Sequence, residues 1–279
     1  AAVAFLHEIL QTAIGADGCG TGMVSEILRL TTAERTRMAH LLPEIVNGRG
    51  PVFASVGAES TAQAVTWAKE AEASGNDALM AIPPTLTGLP EQTLLDYFIA
   101  LAEATDLPLI VQDASAYVGQ AIPLDVLVKL LDQFGPDKIL FKPEAAPLGP
   151  NLSALRDATD GRAKIFEGSG GILLIDSFRR GITGTMPGMD LLDGIIEVWR
   201  ALQVGDDERV YKVHYPICAL TALQKQAGLD GFLAIEKHLL VKRGLFASDR
   251  RRRPYHWNLD SETQDEVDRL FERLQQILQ

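Results

Sequence analysis

Short apolar runs alternate with helical patterns through most of this chain. The runs are "GADGCGTG" (15–22), "PVFASVG" (51–57), "DALMAIPP" (77–84), "LPLIVQDA" (107–114), "KILFKPE" (138–144), "AKIFEGS" (163–169) and "ITGTMPG" (182–188). Most are flanked by Gly, Pro or Asp and carry little polar alternation. Such runs read as strands buried on both faces, which is what a parallel sheet with helical crossovers requires. The helices between them have readable starts. Thr31 with Glu34, and Ser60 with Gln63, have capping-box spacing. Ser74-Gly75 is a C-cap signal that ends the second of these helices. Residues 91–105, 123–134, 150–160, 171–180 and 190–204 read as further helices.

Seven strand–helix units at spacings of roughly 25–30 residues fit an eight-unit (β/α) barrel or an open doubly wound sheet. No glycine-rich dinucleotide fingerprint follows any run, and "EGSGG" (167–171) has the wrong spacing for one. The expected fold is therefore α/β, a (β/α)8 TIM barrel. The opening "AAVAFLHEILQTAIG" reads as an amphipathic helix, not a signal peptide, since it lacks a basic start and carries His7 and Glu8 inside the apolar pattern. An eighth strand ahead of Ala1 would complete the barrel. After residue 204 the pattern changes to helices alone. Residues 207–243 read as two helices broken near Gly228-Leu229-Asp230. Residues 261–278 read as a last helix with an apolar stripe of Val267, Leu270, Phe271, Leu274, Ile277 and Leu278, started by Ser261 with Gln264. The expected division is a barrel over 1–204 and a helical C-terminal domain over 205–279.

With 279 residues and 47% apolar content the chain can bury a sizeable core. A net charge of −11 argues against a nucleic-acid binder and gives no support for an anionic membrane surface. The four arginines at 250–253 read as a solvated loop or as intersubunit ion pairs. Two cysteines, Cys19 and Cys218, make neither a disulfide framework nor a metal cluster, and fit a reducing cytoplasm. No run is long enough to span a bilayer, and no His/Asp/Glu group has metal-ligand spacing.

One residue disturbs the apolar pattern. In "ILFKPEAAP" (139–147), Lys142 ends a run that otherwise reads as buried strand. A buried ammonium loses hydration and a neutral amine does not, so burial favours the amine. From pattern alone Lys142 is either a nucleophile or a strand-end lysine paired with Glu144 at the surface.

The order of these pieces resembles the dihydrodipicolinate synthase / N-acetylneuraminate lyase family of class I aldolases, over nearly the whole chain. "GMVSEILRLT" (22–31) keeps Gly22, Glu26, Leu30 and Thr31 of that family's G-T-T-G-E…Leu-Thr signature. "GRGPVFASVGAEST" (48–61) matches the next strand and turn. Lys142 falls where the family has its Schiff-base lysine. "GITGTMPG" (181–188) falls on the strand that lines the keto-acid site, with Gly184 as the match and Thr185 beside it. The resemblance implies a (β/α)8 barrel with a helical extension and a homo-oligomer, a dimer or tetramer. It implies a small 2-keto acid as substrate, and a covalent lysine imine in place of a cofactor or metal.

Departures from the family pattern narrow the expectation. The paired threonines are Met23 and Val24 here, and the second glycine is Ser25. Gln112 and Asp113 stand where a tyrosine-asparagine pair is usual. Thr85 stands at a relay tyrosine, and Tyr117 at the arginine that grips a semialdehyde substrate. A glutamine cannot shuttle protons as a phenol does; it can only hold a carbonyl or water. The combination of "QDA", "FK-E" and "TGTMPG" is similar to the 2-keto-3-deoxy sugar acid dehydratase branch. The catalytic group expected from this resemblance is Lys142, Gln112 and Glu144. The substrate-binding group is Met23, Val24, Ser25, Thr85, Tyr117, Gly184 and Thr185.

Several of these keep a second reading. Glu144 is an acid–base group or a salt-bridging loop residue. Ser25 holds a carboxylate or water, or only fits a tight turn. Tyr117 offers a pocket hydroxyl or packs, and Asp113 anchors a loop or meets a substrate hydroxyl. His214 and His238 read as packing or surface histidines. The alternatives for the whole chain are dihydrodipicolinate synthase itself, joining pyruvate to aspartate semialdehyde, and a barrel that binds without catalysing.

Overall fold

A computed structural model describes residues 15–279; the segment 1–14, on which the expected N-terminal helix falls, lies outside the described residues. Seven described strands run in chain order: β1 (Cys19–Gly20), β2 (Val52–Ser55), β3 (Ala78–Ala81), β4 (Leu109–Asp113), β5 (Ile139–Pro143), β6 (Phe166–Glu167) and β7 (Gly184–Thr185). Every ladder is parallel. β1 to β5 form one sheet in that order, β6 pairs with β7, and a bridge between Phe141 and Ile165 joins the two. Each strand lies inside one of the apolar runs, and the topology is that of the (β/α) barrel. All five residues of β4 are buried, including Gln112 and Asp113, as is expected of a strand covered on both faces.

The crossovers are α1 (Thr32–Val46), α2 (Thr61–Ala73), α3 (Glu91–Ala104), α4 (Leu124–Phe134), α5 (Leu148–Ala158), α6 (Leu174–Arg179) and α7 (Leu192–Val204). Thr31 and Glu34 complete the reciprocal capping box, and Ser60 accepts the Gln63 N–H. Helix α5 begins two residues before the expected start, directly after Pro147. Helix α6 begins later than expected because Ser169 Oγ accepts the Leu173 N–H at 3.0 Å, holding the intervening residues in a turn.

Beyond Gly205 come α8 (Asp207–Lys225), α9 (Gly228–Lys242) and α10 (Ser261–Leu278). One correction concerns the start of α10. Its cap is Asp260, not Ser261: Asp260 has extended backbone and accepts the Thr263 N–H at 2.9 Å, whereas the Ser261 hydroxyl turns to Glu262. The expected stripe of α10 faces inward, with Val267, Phe271 and Leu274 buried. Val210, Val213, Ile217 and Leu274 share one apolar cluster with Ile195 and Val198 of α7, so the core runs across Gly205 without a break.

The arginine run at 250–253 is also corrected: much of it is engaged within the chain. Arg252 pairs with Glu34, and its N–H donates to Glu26; Arg251 donates to the Asp230 carbonyl. Glu26 also pairs with Lys237 of α9. These contacts strap the segment after α9 to the loop after β1.

Candidate active site

Parallel strands end together, so the side chains at the C-terminal ends of β4, β5, β6 and β7 are carried to one rim of the sheet. That rim is where barrels of this topology place their chemistry. Lys142 and Glu144 come from the end of β5, and Gln112 is the register partner of Lys142 on β4. Lys142 Nζ stands 3.0 Å from Glu144 Oε2, and the side chains are 9% and 5% exposed. Gln112 Nε2 donates to the same Oε2 at 2.5 Å. The pairing of Lys142 with Glu144 is real, but it is buried, which removes the surface ion pair as an account of it. Desolvation pushes the Glu144 carboxyl above the usual range, against the pull of Lys142 and Gln112, with the charge of Glu167 adding to the rise. The arrangement is a buried lysine and carboxyl in direct contact, with an amide holding the acid in place.

Gly168 explains how β6 reaches this pair. A Cβ built there would lie 2.5 Å from Glu144 Oε1 and 2.6 Å from Lys142 Nζ. Only a residue without a side chain lets the backbone pass so close. Gly184 on β7 is similarly tight, its missing Cβ standing 3.0 Å from two ring atoms of Phe166.

The other expected residues divide. Tyr117 reaches the site: its phenol is pushed up by burial, then by the charges of Glu144 and Glu167. Lys225 of α8 stands 6.0 Å from its ring centre. Thr185 donates its hydroxyl to Glu167 Oε2 at 2.9 Å and so joins the same group. Thr85 is turned elsewhere; its hydroxyl and N–H both donate to Glu59, at 2.6 and 2.8 Å. Met23, Val24 and Ser25 form a short 3-10 turn after β1. Met23 is buried in a small cluster with Ile82 and Ala114, with Val118 and Leu229 packed against it. Ser25 Oγ accepts the Gly22 N–H at 3.3 Å, the contact of a residue fitted to a tight turn. Asp113 anchors the following loop by accepting the N–H groups of Ser115 and Ile122. His214 contacts the Gly171 carbonyl and His238 contacts Asp268, as structural histidines do.

Glu167 was not among the expected residues. It is fully buried and accepts the Ser169 N–H at 2.6 Å as well as the Thr185 hydroxyl. Its signal was present in the sequence: "AKIFEGS" carries an acid at the end of an apolar run, as "KILFKPE" carries a lysine. Among the described residues no group of His, Cys, Asp and Glu could hold a metal ion, and no helix is long and apolar enough to cross a membrane.

Known proteins of one family resemble this chain over most of its length. The model of the dihydrodipicolinate synthetase family matches residues 14–274. L-2-keto-3-deoxyarabonate dehydratase of Azospirillum brasilense is 28% identical over 250 residues, 86% of this chain and 78% of that protein. The 4-hydroxy-tetrahydrodipicolinate synthase of Methanosarcina mazei is 28% identical over 207 residues, 72% of this chain and 68% of that protein. A probable 2-dehydro-3-deoxy-D-pentonate aldolase of Escherichia coli is 34% identical over 119 residues, 42% of this chain and 39% of that protein. Among solved structures, the 4-hydroxy-tetrahydrodipicolinate synthase of Methylacidiphilum fumariolicum superimposes with a TM-score of 0.86 at 23% identity, over 99% of this chain and 90% of that one. That likeness shows the fold, a TIM barrel with a helical C-terminal extension. Taken with the family match, it leads to one statement: the chain belongs to the dihydrodipicolinate synthetase family of lyases.

Proposed function

We propose that this protein forms an imine between Lys142 and a 2-keto acid, and that its substrate is a 2-keto-3-deoxy sugar acid from which it eliminates water. The observation that carries the reading is the buried Lys142–Glu144 pair at the rim of β5, braced by Gln112. Attack on a carbonyl needs a neutral amine, and Glu144 Oε2, 3.0 Å from Lys142 Nζ, is the acceptor within reach of the lysine proton. Loss of water from the adduct gives an iminium, which acidifies the adjacent carbon. Departure of a proton from that carbon and of the hydroxyl one carbon further releases water, and hydrolysis returns the lysine. In this scheme Glu144 hands a proton to the departing hydroxyl. Aldol cleavage or condensation of the same imine is the neighbouring reaction. No cofactor or metal enters this scheme.

The preference for a sugar acid over aspartate semialdehyde rests on Gln112, Thr85 and Tyr117. They stand where the tyrosines and the arginine of the resembled synthases are expected, and the Thr85 hydroxyl is engaged by Glu59. A homo-oligomer, dimer or tetramer, in the cytoplasm belongs to the same reading, and light scattering measures the assembly directly.

Borohydride trapping tests the chemistry. The protein is incubated with pyruvate, with 2-keto-3-deoxy sugar acids, or with pyruvate plus aspartate semialdehyde, then reduced and mapped by mass spectrometry, and turnover of each is assayed. A stable adduct on Lys142, with turnover of a sugar acid, is the expected result. Lys142→Arg cannot form the imine, so it should give no adduct. Absence of any adduct on the wild-type lysine sinks the imine reading. Turnover of the semialdehyde mixture alone replaces the dehydratase with the synthase.

A further inference from the structure

Helix α8 reaches across to the turn that follows β6. His214, Cys218 and Thr221 stand along one face of this helix, at spacings of four and three residues. They meet three successive carbonyls of the turn. Thr221 Oγ1 donates to the Gly170 carbonyl at 3.2 Å, His214 Nε2 stands 2.8 Å from the Gly171 carbonyl, and Cys218 Sγ stands 3.7 Å from the Ile172 carbonyl. A carbonyl only accepts, so His214 Nε2 carries the proton of its contact. Thr221 is fully buried, and its hydroxyl donates across to the turn rather than back to its own helix. The Gly171 carbonyl also accepts the Leu174 N–H at 3.2 Å, whereas among the described residues Thr221 is the one donor to the Gly170 carbonyl. The turn has little room to move sideways. A Cβ built at Gly170 would lie 3.1 Å from the Phe232 ring of α9, and one built at Gly171 would lie 3.1 Å from Ile195 of α7.

The same turn begins at Gly168, whose missing side chain brings its backbone against Lys142 Nζ and Glu144 Oε1. We propose that Thr221 and His214 are positioning residues of this active site, holding the turn after β6 so that its Gly168 backbone stays closed over Lys142 and Glu144. The helical extension thereby acts on the site through the turn. Two residues separate Gly168 from Gly170, too short a stretch for one to lift while the other is held. A buried carbonyl that loses its donor draws the backbone toward water, so the turn loosens when either side chain is removed. This deepens the imine reading and rests on it, since an amine displaced by about 1 Å attacks a carbonyl far more slowly.

Two pairs of variants of the full chain test this. Thr221→Val keeps the shape and removes the donor, and Thr221→Ser keeps the donor. His214→Leu and His214→Gln form the second pair, which serves if a member of the first does not fold. Three rates are read by mass spectrometry: hydrogen exchange of the turn, acetylation of Lys142 by acetic anhydride with no keto acid present, and borohydride trapping across a range of pyruvate concentrations. Thr221→Val and His214→Leu should exchange the turn roughly tenfold faster and acetylate Lys142 several-fold faster than wild type. Their trapping rate at saturating pyruvate should fall roughly tenfold, while the half-saturating concentration moves by less than about twofold. Thr221→Ser and His214→Gln should recover most of each wild-type value. Wild-type acetylation and trapping in Thr221→Val and His214→Leu overturn the proposal and leave α8 as scaffold, even if the turn exchanges faster. A loss that Thr221→Ser and His214→Gln fail to recover overturns it too. If wild type traps no adduct, the imine reading fails by itself; faster acetylation of Lys142 in the variants then upholds the clamp, and an unchanged rate overturns it.

Discussion

Gly168→Ala is the perturbation whose effect the geometry specifies most closely. The new methyl would lie 2.5 Å from Glu144 Oε1, 2.6 Å from Lys142 Nζ and 2.7 Å from Glu144 Cδ. Ordinary contact needs about 3.4 Å or more, so each group must retreat by somewhat less than 1 Å. The obstructing atoms are ends of side chains and not backbone, so the fold should survive, with an overpacking cost of about 1–3 kcal/mol. The pair has little free volume to retreat into, because both side chains are under 10% exposed and Gln112 holds Glu144 from the other side. A displacement near 1 Å in a reacting group costs on the order of 10²-fold in rate. The assay is the initial rate of borohydride-trapped adduct with pyruvate, alongside a thermal melt. A variant that melts cooperatively within several degrees of wild type and traps at least tenfold more slowly fits the argument. A wild-type trapping rate in Gly168→Ala would refute it, since the lysine–glutamate geometry would then be irrelevant to imine formation.

Asp190 is buried between the β7 loop and α9, where desolvation pushes its carboxyl up to about 6, and Glu236 beside it is raised too. A carboxyl raised on folding contributes stability below its unfolded value and loses it as pH rises through the folded one. Asp190→Asn should therefore gain melting temperature over wild type between pH 4 and pH 7, and parallel melting curves against pH would contradict this. Glu26 joins the loop after β1 to Lys237 and to the Arg252 N–H. Glu26→Ala leaves Lys237 unpaired in a largely buried place and should cost ~3 kcal/mol, read as a lower denaturation midpoint with an unchanged urea slope. A loss under ~1 kcal/mol would mean that solvent already screens the pair.

Much of this protein is written in local pattern. Seven apolar runs, their spacing and their glycine and proline borders are enough for a parallel barrel, because a strand covered on both faces has no polar face to show. Lys142 was legible for the same reason: a charge at the end of such a run has no local explanation. The cap of α10 was read one residue late because Asp260 and Ser261 are both good caps, and only the backbone angles choose between them. Tertiary structure decided what local pattern does not contain. It set Lys142, Glu144, Gln112 and Glu167 at one rim, turned Thr85 to Glu59, and drew the arginine run onto Glu26 and Glu34. Apart from Lys142 and Glu144, which are two positions apart, those contacts join residues tens to hundreds of positions apart, and their energies depend on burial and on charges brought close by the fold. The sequence by itself determined which residues were out of place in an apolar strand; the packing of β4 to β7 decided which of them meet, since that depends on distance and solvent exclusion in three dimensions.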